Sequence, residues 1–176
     1  MRINNGNVDT SKEFIIRQAT LDDVKALAHH RCEMFKDMSQ LRKQELSEDT
    51  YQALSAASIK YFEQAIRAGE YVAWVVTPQA QPDLIVAGGG LQLRYILPRP
   101  DHTGGLQKPG PQGLIVNVYT EKEWRRNGLA ELVTRTMIEW SRNNGVASLV
   151  LHASEMGRPL YEKLGFVASN EMYFPL

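Results

Sequence analysis

The stretch Leu114-Ile-Val-Asn-Val-Tyr-Thr-Glu-Lys-Glu-Trp-Arg-Arg-Asn-Gly-Leu-Ala130 decides the fold of this chain. Its first six residues form an apolar run, which predicts a buried strand. A polar turn follows, and Arg125 to Ala130 is predicted to open a helix. Beyond that point the residues of one face recur at helical spacing: they are Leu129, Leu132, Val133, Thr136, Met137 and Trp140. The sequence therefore predicts a strand, a basic turn and an amphipathic helix in direct succession.

The basic turn has the features of an anion site. Backbone N–H groups at a helix N-terminus lack partners, and the helix dipole favours negative charge there. Gly128 lets the backbone approach a ligand closely, Ala130 keeps the first turn uncrowded, and Arg125 and Arg126 add forked donors for phosphate. No Gly-Lys-Ser/Thr follows and only one glycine is present, which excludes a Walker A loop and a dinucleotide fingerprint. An ordinary helix start with solvated arginines is the alternative.

Two motifs resemble those of the GNAT N-acetyltransferase family. Arg125-x-x-Gly128-x-Ala130 matches the family's Arg/Gln-x-x-Gly-x-Gly/Ala pattern, and Leu160-Tyr-Glu-Lys-Leu-Gly-Phe166 looks like its "LYxKLGF" segment. They occur in the expected order, about one strand and one helix apart, and the resemblance covers residues 14–176. It implies a mixed α/β (α+β) fold, with a central, mostly antiparallel twisted sheet, a splayed central strand and flanking helices.

The resemblance also implies a function. The expected reaction is direct transfer of an acetyl group from acetyl-CoA to a primary amine of a small molecule or peptide, in a ternary complex and without a metal. Tyr161 stands where the family's leaving-group tyrosine lies, and Ser154 stands where an asparagine is common. The residues expected to bind the cofactor are Val118, Tyr119, Thr120, Arg125, Arg126, Asn127, Gly128, Leu129, Ala130 and Ser154.

Several assignments stay open on sequence alone. Asn117 either orients the reacting groups or bonds to a neighbour across the strand. Glu121 and Glu123 are more often capping charges than bases, and His152 is more often structural, so no residue is marked as the general base. Two rival functions are a non-catalytic acyl-CoA binding module and a phosphate-ligand protein of another class.

Length, net charge and cysteine content narrow the possible domain organisation and partners. The chain has 176 residues, which suits a single domain over 14–176 preceded by a flexible polar segment over 1–13. The formal net charge is zero, so neither nucleic acid nor an anionic membrane is expected as a partner. A single cysteine, Cys32, fits a reducing cytoplasm, and His29 lies on the same helix face without further metal ligands. A homodimer is left open.

Patterning predicts the remaining elements. Gly88-Gly-Gly90 is expected to mark a bulge or a close packing contact, with room for substrate as the alternative. The loop Pro98–Gly113 is either a lid or disordered. The other predictions are a strand Phe14–Gln18, helices capped by Thr20 and Ser47, a hairpin of Tyr71–Val76 with Leu84–Leu97, a strand Ser148–His152, a helix Arg158–Leu164 and a closing hairpin of Phe166–Ala168 with Met172–Phe174.

Overall fold

The structure, a computed structural model, describes residues 13–41, 43–100, 103–107 and 109–169. In chain order its elements are β1 (Phe14–Gln18), α1 (Val24–Leu41), α2 (Glu48–Arg67), β2 (Tyr71–Pro78), β3 (Ala87–Arg94), β4 (Gln112–Thr120), α3 (Leu129–Asn143), β5 (Ser148–Leu151) and α4 (Arg158–Lys163). Short 3-10 turns at Leu21–Asp23 and Lys122–Trp124 precede α1 and α3. Apart from Glu13, the segment predicted to be flexible lies outside the described residues.

The five strands form one sheet in the order β1-β2-β3-β4-β5. The first four strands run antiparallel to their neighbours, and β5 runs parallel to β4. Strand β5 pairs only with Gln112–Ile115, so within the described residues Val116–Thr120 has no strand on that side. The mixed α/β fold, with a mostly antiparallel sheet that splays at β4, is confirmed.

Helices cover both faces of the sheet. On one face α3 buries Leu129, Val133 and Met137 against sheet residues such as Leu91 and Ile115. On the other face α1 and α2 pack Leu27 and Phe62, among others, against the sheet. Each fully buried side chain of this size contributes about 1.5–3 kcal/mol to folding. Helices therefore lie over both faces of β4, and the edge at Val116–Thr120 has no neighbouring strand among the described residues.

Local signals place the helix ends as predicted. The Thr20 hydroxyl accepts the Asp22 N–H while the Asp23 carboxylate accepts the Thr20 N–H, which is a capping box. Ser47 caps α2 through the Thr50 N–H. Gly69 follows α2 with a φ of +70°, the left-handed conformation that glycine adopts most easily after a helix.

Two predicted strands need correction. Strand β3 spans Ala87–Arg94 and not Leu84–Leu97, because the chain turns at Leu84, whose N–H bonds to the Gln81 carbonyl, and leaves the sheet after Arg94. Phe166–Ala168 forms no strand, although Phe166 packs against the core on the α3 side. The second arm of that predicted hairpin, Met172–Phe174, lies outside the described residues.

The loop between β3 and β4 is anchored at the described positions. The Gln107 N–H bonds to the Arg99 carbonyl, and Pro100 and Leu106 form an isolated bridge. The Gln107 amide also donates to the Ser148 hydroxyl at the start of β5. The loop lies at the opposite end of β4 from the basic turn, about 26 Å away at the usual rise per strand residue.

Candidate active site

A bulge interrupts β4 where the sheet opens. Gly88 pairs with Tyr119 and Gly90 pairs with Val116, so two steps along β3 face three along β4. Asn117 takes up the extra residue with a φ of +62°, a conformation that asparagine tolerates better than most residues. A Cβ on Gly89 would lie 3.1 Å from side-chain atoms of Val118. The glycine run therefore serves the bulge and close packing, which favours that interpretation over room for substrate.

The Asn117 side chain points away from the open edge. It is 3% exposed, and its Nδ2 donates to the Leu27 carbonyl of α1 at 3.0 Å. Its Oδ1 has no partner among the described residues. Through this contact Asn117 fixes the bulge to α1. A role of Asn117 in orienting substrate stays a prediction. Because a bulge bends and twists its strand, Asn117 promotes the divergence of β4 from β5.

The basic turn after β4 contains two left-handed residues, Arg126 with a φ of +69° and Gly128 with a φ of +75°. The Leu132 N–H bonds to the Gly128 carbonyl, so the N–H groups of the first helical turn have no intrahelical acceptor. Turns of this kind gather backbone N–H groups into anion-binding concavities. The left-handed Arg126 opposes folding by about 1–2 kcal/mol, and burial of the neighbouring Leu129 offsets that cost.

The two arginines of the turn have different surroundings. The Arg125 guanidinium donates to Asp37 of α1 at 2.5 Å and to the Thr120 carbonyl at 3.0 Å. It also stacks over the Tyr119 ring, 5.4 Å from its centroid. Arg126 is exposed, and its side chain makes no ion pair with another described residue. The Arg126 side chain is therefore available to a ligand, whereas the Arg125 side chain is paired and its backbone N–H bonds to the Lys122 carbonyl at 3.4 Å. Phosphate binding by either arginine stays a prediction.

Asp37 contacts two of the three cations of the turn. Besides Arg125 it contacts the Lys122 ammonium at 3.2 Å. Burial alone would raise the pKa of Asp37, but the bonds from Arg125 and Lys122 outweigh burial and lower it. The carboxylate therefore stays ionised at neutral pH and ties α1 to the turn.

Replacement of Arg126 by alanine is expected to affect CoA binding, whereas replacement of Arg125 is expected to affect stability. Arg126→Ala removes one charge-assisted bond and should weaken CoA binding about ten-fold with little change in melting temperature. It should affect a phosphate-free pantetheine thioester much less. Arg125→Ala removes an ion pair, a backbone bond and a ring contact, and should cost about 1–2 kcal/mol, a few degrees of melting temperature. Thermal unfolding and calorimetric titration measure both, and equal loss of both ligands in Arg126→Ala would mean that Arg126 acts structurally.

An ion pair joins α4 to the start of α3. Lys163 contacts Glu131 in the first turn of α3 at 2.8 Å, and Arg135 contacts the same carboxylate at 2.8 Å. Lys163 and then Arg135 lower the pKa of Glu131, so two cations neutralise this carboxylate beside the proposed phosphate site. The pair holds the helix that carries Tyr161 next to the basic turn.

Tyr161 is half-buried in α4. Its ring meets Phe166 edge-on at 5.9 Å, and burial raises the pKa of its hydroxyl. The phenol therefore remains protonated throughout the neutral range and can donate a proton but not act as a base. Ser154 lies in the preceding turn, where its hydroxyl accepts the Gly157 N–H at 3.1 Å. The Ser154 hydroxyl can still donate a hydrogen bond of its own. A contact between Ser154 and the cofactor stays a prediction.

The histidines near the turn act as links between α1 and β4. His29 bonds to Glu121 at 3.1 Å, which joins α1 to the end of β4. Burial, and then the charge of His29, lower the pKa of His30 to about 4, so His30 is neutral under physiological conditions. Cys32 is buried on another side of α1, near the Tyr51 carbonyl. Within the described ranges no group of three or more metal-binding side chains is assembled.

Sequence reasoning missed the partners that come from distant segments. No sequence motif marks Asp37, Lys122 or Glu131, because their contacts depend on how α1, α3 and α4 pack together. Asn117 carried one usable signal: a lone asparagine in an apolar strand is a candidate for a left-handed bulge position.

The comparisons with known proteins agree with this geometry. Residues 106–174 match the family model of the acetyltransferase (GNAT) domain. A GCN5-related N-acetyltransferase from Ralstonia eutropha JMP134 is 26% identical, with 93% of this chain and 98% of that chain covered and a TM-score of 0.77. A predicted acetyltransferase from Clostridium acetobutylicum, crystallised with acetyl-CoA, is 24% identical, with 93% and 96% covered and a TM-score of 0.71. A search of curated protein sequences gave no match.

The matched domain and the fold are those of an acyl-CoA-dependent N-acyltransferase. Residues 106–174 match the GNAT acetyltransferase domain, and the similarity in fold to a GCN5-related N-acetyltransferase covers 93% of the chain. No helix among the described residues is both long and apolar enough to cross a membrane.

Proposed function

We propose that this protein transfers an acetyl group from acetyl-CoA directly to a primary amine of a small molecule or peptide, in a ternary complex. The observation that carries the proposal is the continuity of two binding features. The unpaired edge of β4, Val116–Thr120, runs straight into the turn whose backbone is left-handed at Arg126 and Gly128. An extended ligand that ends in phosphates fits an open strand edge followed by a helix N-terminus.

The residues of this stretch fit the cofactor chemically. The Arg126 side chain and the backbone N–H groups of Asn127, Gly128, Leu129 and Ala130 would hold the pyrophosphate. Backbone groups of Val118 and Thr120 at the open edge would hold the pantetheine arm. Tyr119 contributes through its backbone alone, because its ring is buried beneath Arg125 and beside His30. Ser154 is the candidate for a further hydroxyl contact.

Catalysis in this arrangement relies on position and on hydrogen-bond donors. Bound acetyl-CoA supplies the activated acetyl group as a thioester. A backbone N–H at the Asn117 bulge, on Val118, polarises the carbonyl, and the rigid strand holds it in place for the amine. Tyr161 donates a proton toward the departing sulfur. Glu121 is already bonded to His29, and no described residue is assigned as the base that receives the amine proton.

Release of free CoA in the presence of a panel of primary amines tests the proposal. Turnover with an amine, together with CoA binding and no ATP binding, is the expected result. CoA binding without turnover on any amine would instead support a non-catalytic acyl-CoA binding module. ATP binding in place of CoA would support a phosphate-ligand protein of another class. A cytoplasmic location stays a prediction from the sequence, and a homodimer stays open.

A further inference from the structure

A groove lies on the α1 and α2 side of the sheet, apart from the basic turn. It measures about 350 Å³ and is lined by residues of both helices and of β3 and β4, among them Arg31, Leu54, Tyr61, Phe62, Gln92 and Val116. This volume lies at the lower end of the range for small-molecule sites. The groove reaches β4 at Val116, directly before the bulge at Asn117 where the open edge begins. A molecule in the groove therefore lies beside the segment proposed to hold the thioester.

The charge of the groove is set by one arginine. Arg31 is the only charged residue in its lining, and it forms no ion pair with a carboxylate among the described residues. Its guanidinium stacks over the Phe35 ring, 5.0 Å from the centroid, and this contact limits its motion. By contrast, Arg17, Arg125 and Arg135 each contact a carboxylate. An ammonium group entering the groove would meet the unpaired guanidinium of Arg31, while the charge of Glu70 acts on Tyr61 in the same lining.

Two neutral hydrogen-bonding side chains share the groove with Arg31. Tyr61 and Gln92 line the same groove. Burial, and then the charge of Glu70, raise the pKa of Tyr61, while Arg31 and the Gln92 amide oppose the rise. The phenol, the amide and the guanidinium therefore share one lining, in which the Gln92 amide bonds to the Tyr61 hydroxyl. Leu54, Phe62 and Val116 supply the apolar part of the lining.

We propose that the acceptor amine also carries a carboxylate, which Arg31 binds with help from Gln92 and Tyr61 while Leu54, Phe62 and Val116 contact its apolar portion. This inference rests on the proposed acetyl transfer and narrows its acceptor to amino acids and short peptides. A planar guanidinium matches a carboxylate with two parallel hydrogen bonds. One unpaired cation balances one carboxylate, whereas a phosphate dianion would bring a second, uncompensated charge into a half-buried site. The reaction itself forms the amide N–C bond, breaks the thioester C–S bond and leaves CoA as the thiol.

Matched acceptor pairs test the proposal on the full-length protein. Amino acids and dipeptides are compared with their carboxamides, which differ only in the charge of the carboxyl group. The parent protein is expected to favour the carboxylate member at least about ten-fold in kcat/KM, the size of one charge-assisted bond. In Arg31→Gln this preference should vanish through a higher KM with little change in kcat, melting temperature or CoA affinity. Arg31→Lys should retain part of it.

A charge control and a binding measurement separate the outcomes. Lys60→Gln removes a cation from an exposed position of α2 outside the groove and should leave the preference unchanged. Equal rates for carboxylates and carboxamides in the parent, or a preference that persists in Arg31→Gln, would overturn the proposal. If no amine releases CoA, calorimetric binding of the same pairs decides. If the parent binds the carboxylate and Arg31→Gln does not, the groove assignment holds although the transferase proposal fails. If the parent binds neither member of a pair, both proposals fail.

Discussion

Tyr161→Phe is expected to lower turnover by about ten- to a thousand-fold, the range for loss of a general acid. The departing CoA thiol ordinarily titrates near ~8.5, so collapse of the intermediate is slow unless a donor meets the sulfur. Burial raises the pKa of the Tyr161 phenol, so the hydroxyl is protonated at neutral pH and can donate a hydrogen bond. Phenylalanine retains the ring that packs against Phe166 and removes the hydroxyl alone. CoA affinity and melting temperature should therefore barely change.

Single-turnover kinetics is the appropriate measurement, because it isolates the chemical step from product release. Tyr95→Phe is the matched control, since Tyr95 is 87% exposed and removal of its hydroxyl should leave the rate unaltered. A Tyr161→Phe protein with the parental single-turnover rate would reduce Tyr161 to a packing residue. A rate loss accompanied by an equal loss of CoA affinity would make it a binding residue.

The elements around β4 could be predicted from sequence because their signals are local. An apolar run, a glycine and a helical repeat lie within 30 consecutive residues, from Leu114 to Asn143. Each of these signals depends on residues that are neighbours in the chain. Tertiary packing therefore stabilises the predicted strand, turn and helix and does not change them. The same holds for the caps at Thr20 and Ser47, where a side chain bonds to an N–H two or three residues ahead.

The detailed chemistry of the site could not be predicted, because it depends on pairs far apart in the chain. Arg125 meets Asp37 across 88 positions, and no local pattern shows that this arginine is already paired while its neighbour Arg126 is not. The same limit applies to the groove, whose one arginine comes from α1 while the Gln92 amide comes from β3. Sequence spacing located the phosphate turn, whereas three-dimensional packing decides which side chains remain available to a ligand.

Gly128→Val is expected to weaken CoA binding by about a hundred-fold or more, roughly the loss of one or two charge-assisted bonds to phosphate. Gly128 has a φ of +75°, so the substitution also strains the backbone, and about 1–2 kcal/mol of stability should be lost. The binding loss has a separate cause: a branched side chain stands where backbone N–H groups must approach an anion.

Gly145→Val separates the two effects. Gly145 follows the other end of α3 with a φ of +70°, and a Cβ there would have no atom within 4 Å. Strain is therefore nearly equal in the two variants, and thermal unfolding should show similar losses. CoA titration should show a defect in Gly128→Val alone. If both variants bind CoA equally, the left-handed start of α3 is a feature of folding, and the phosphates must be held by groups other than the N–H donors of this turn.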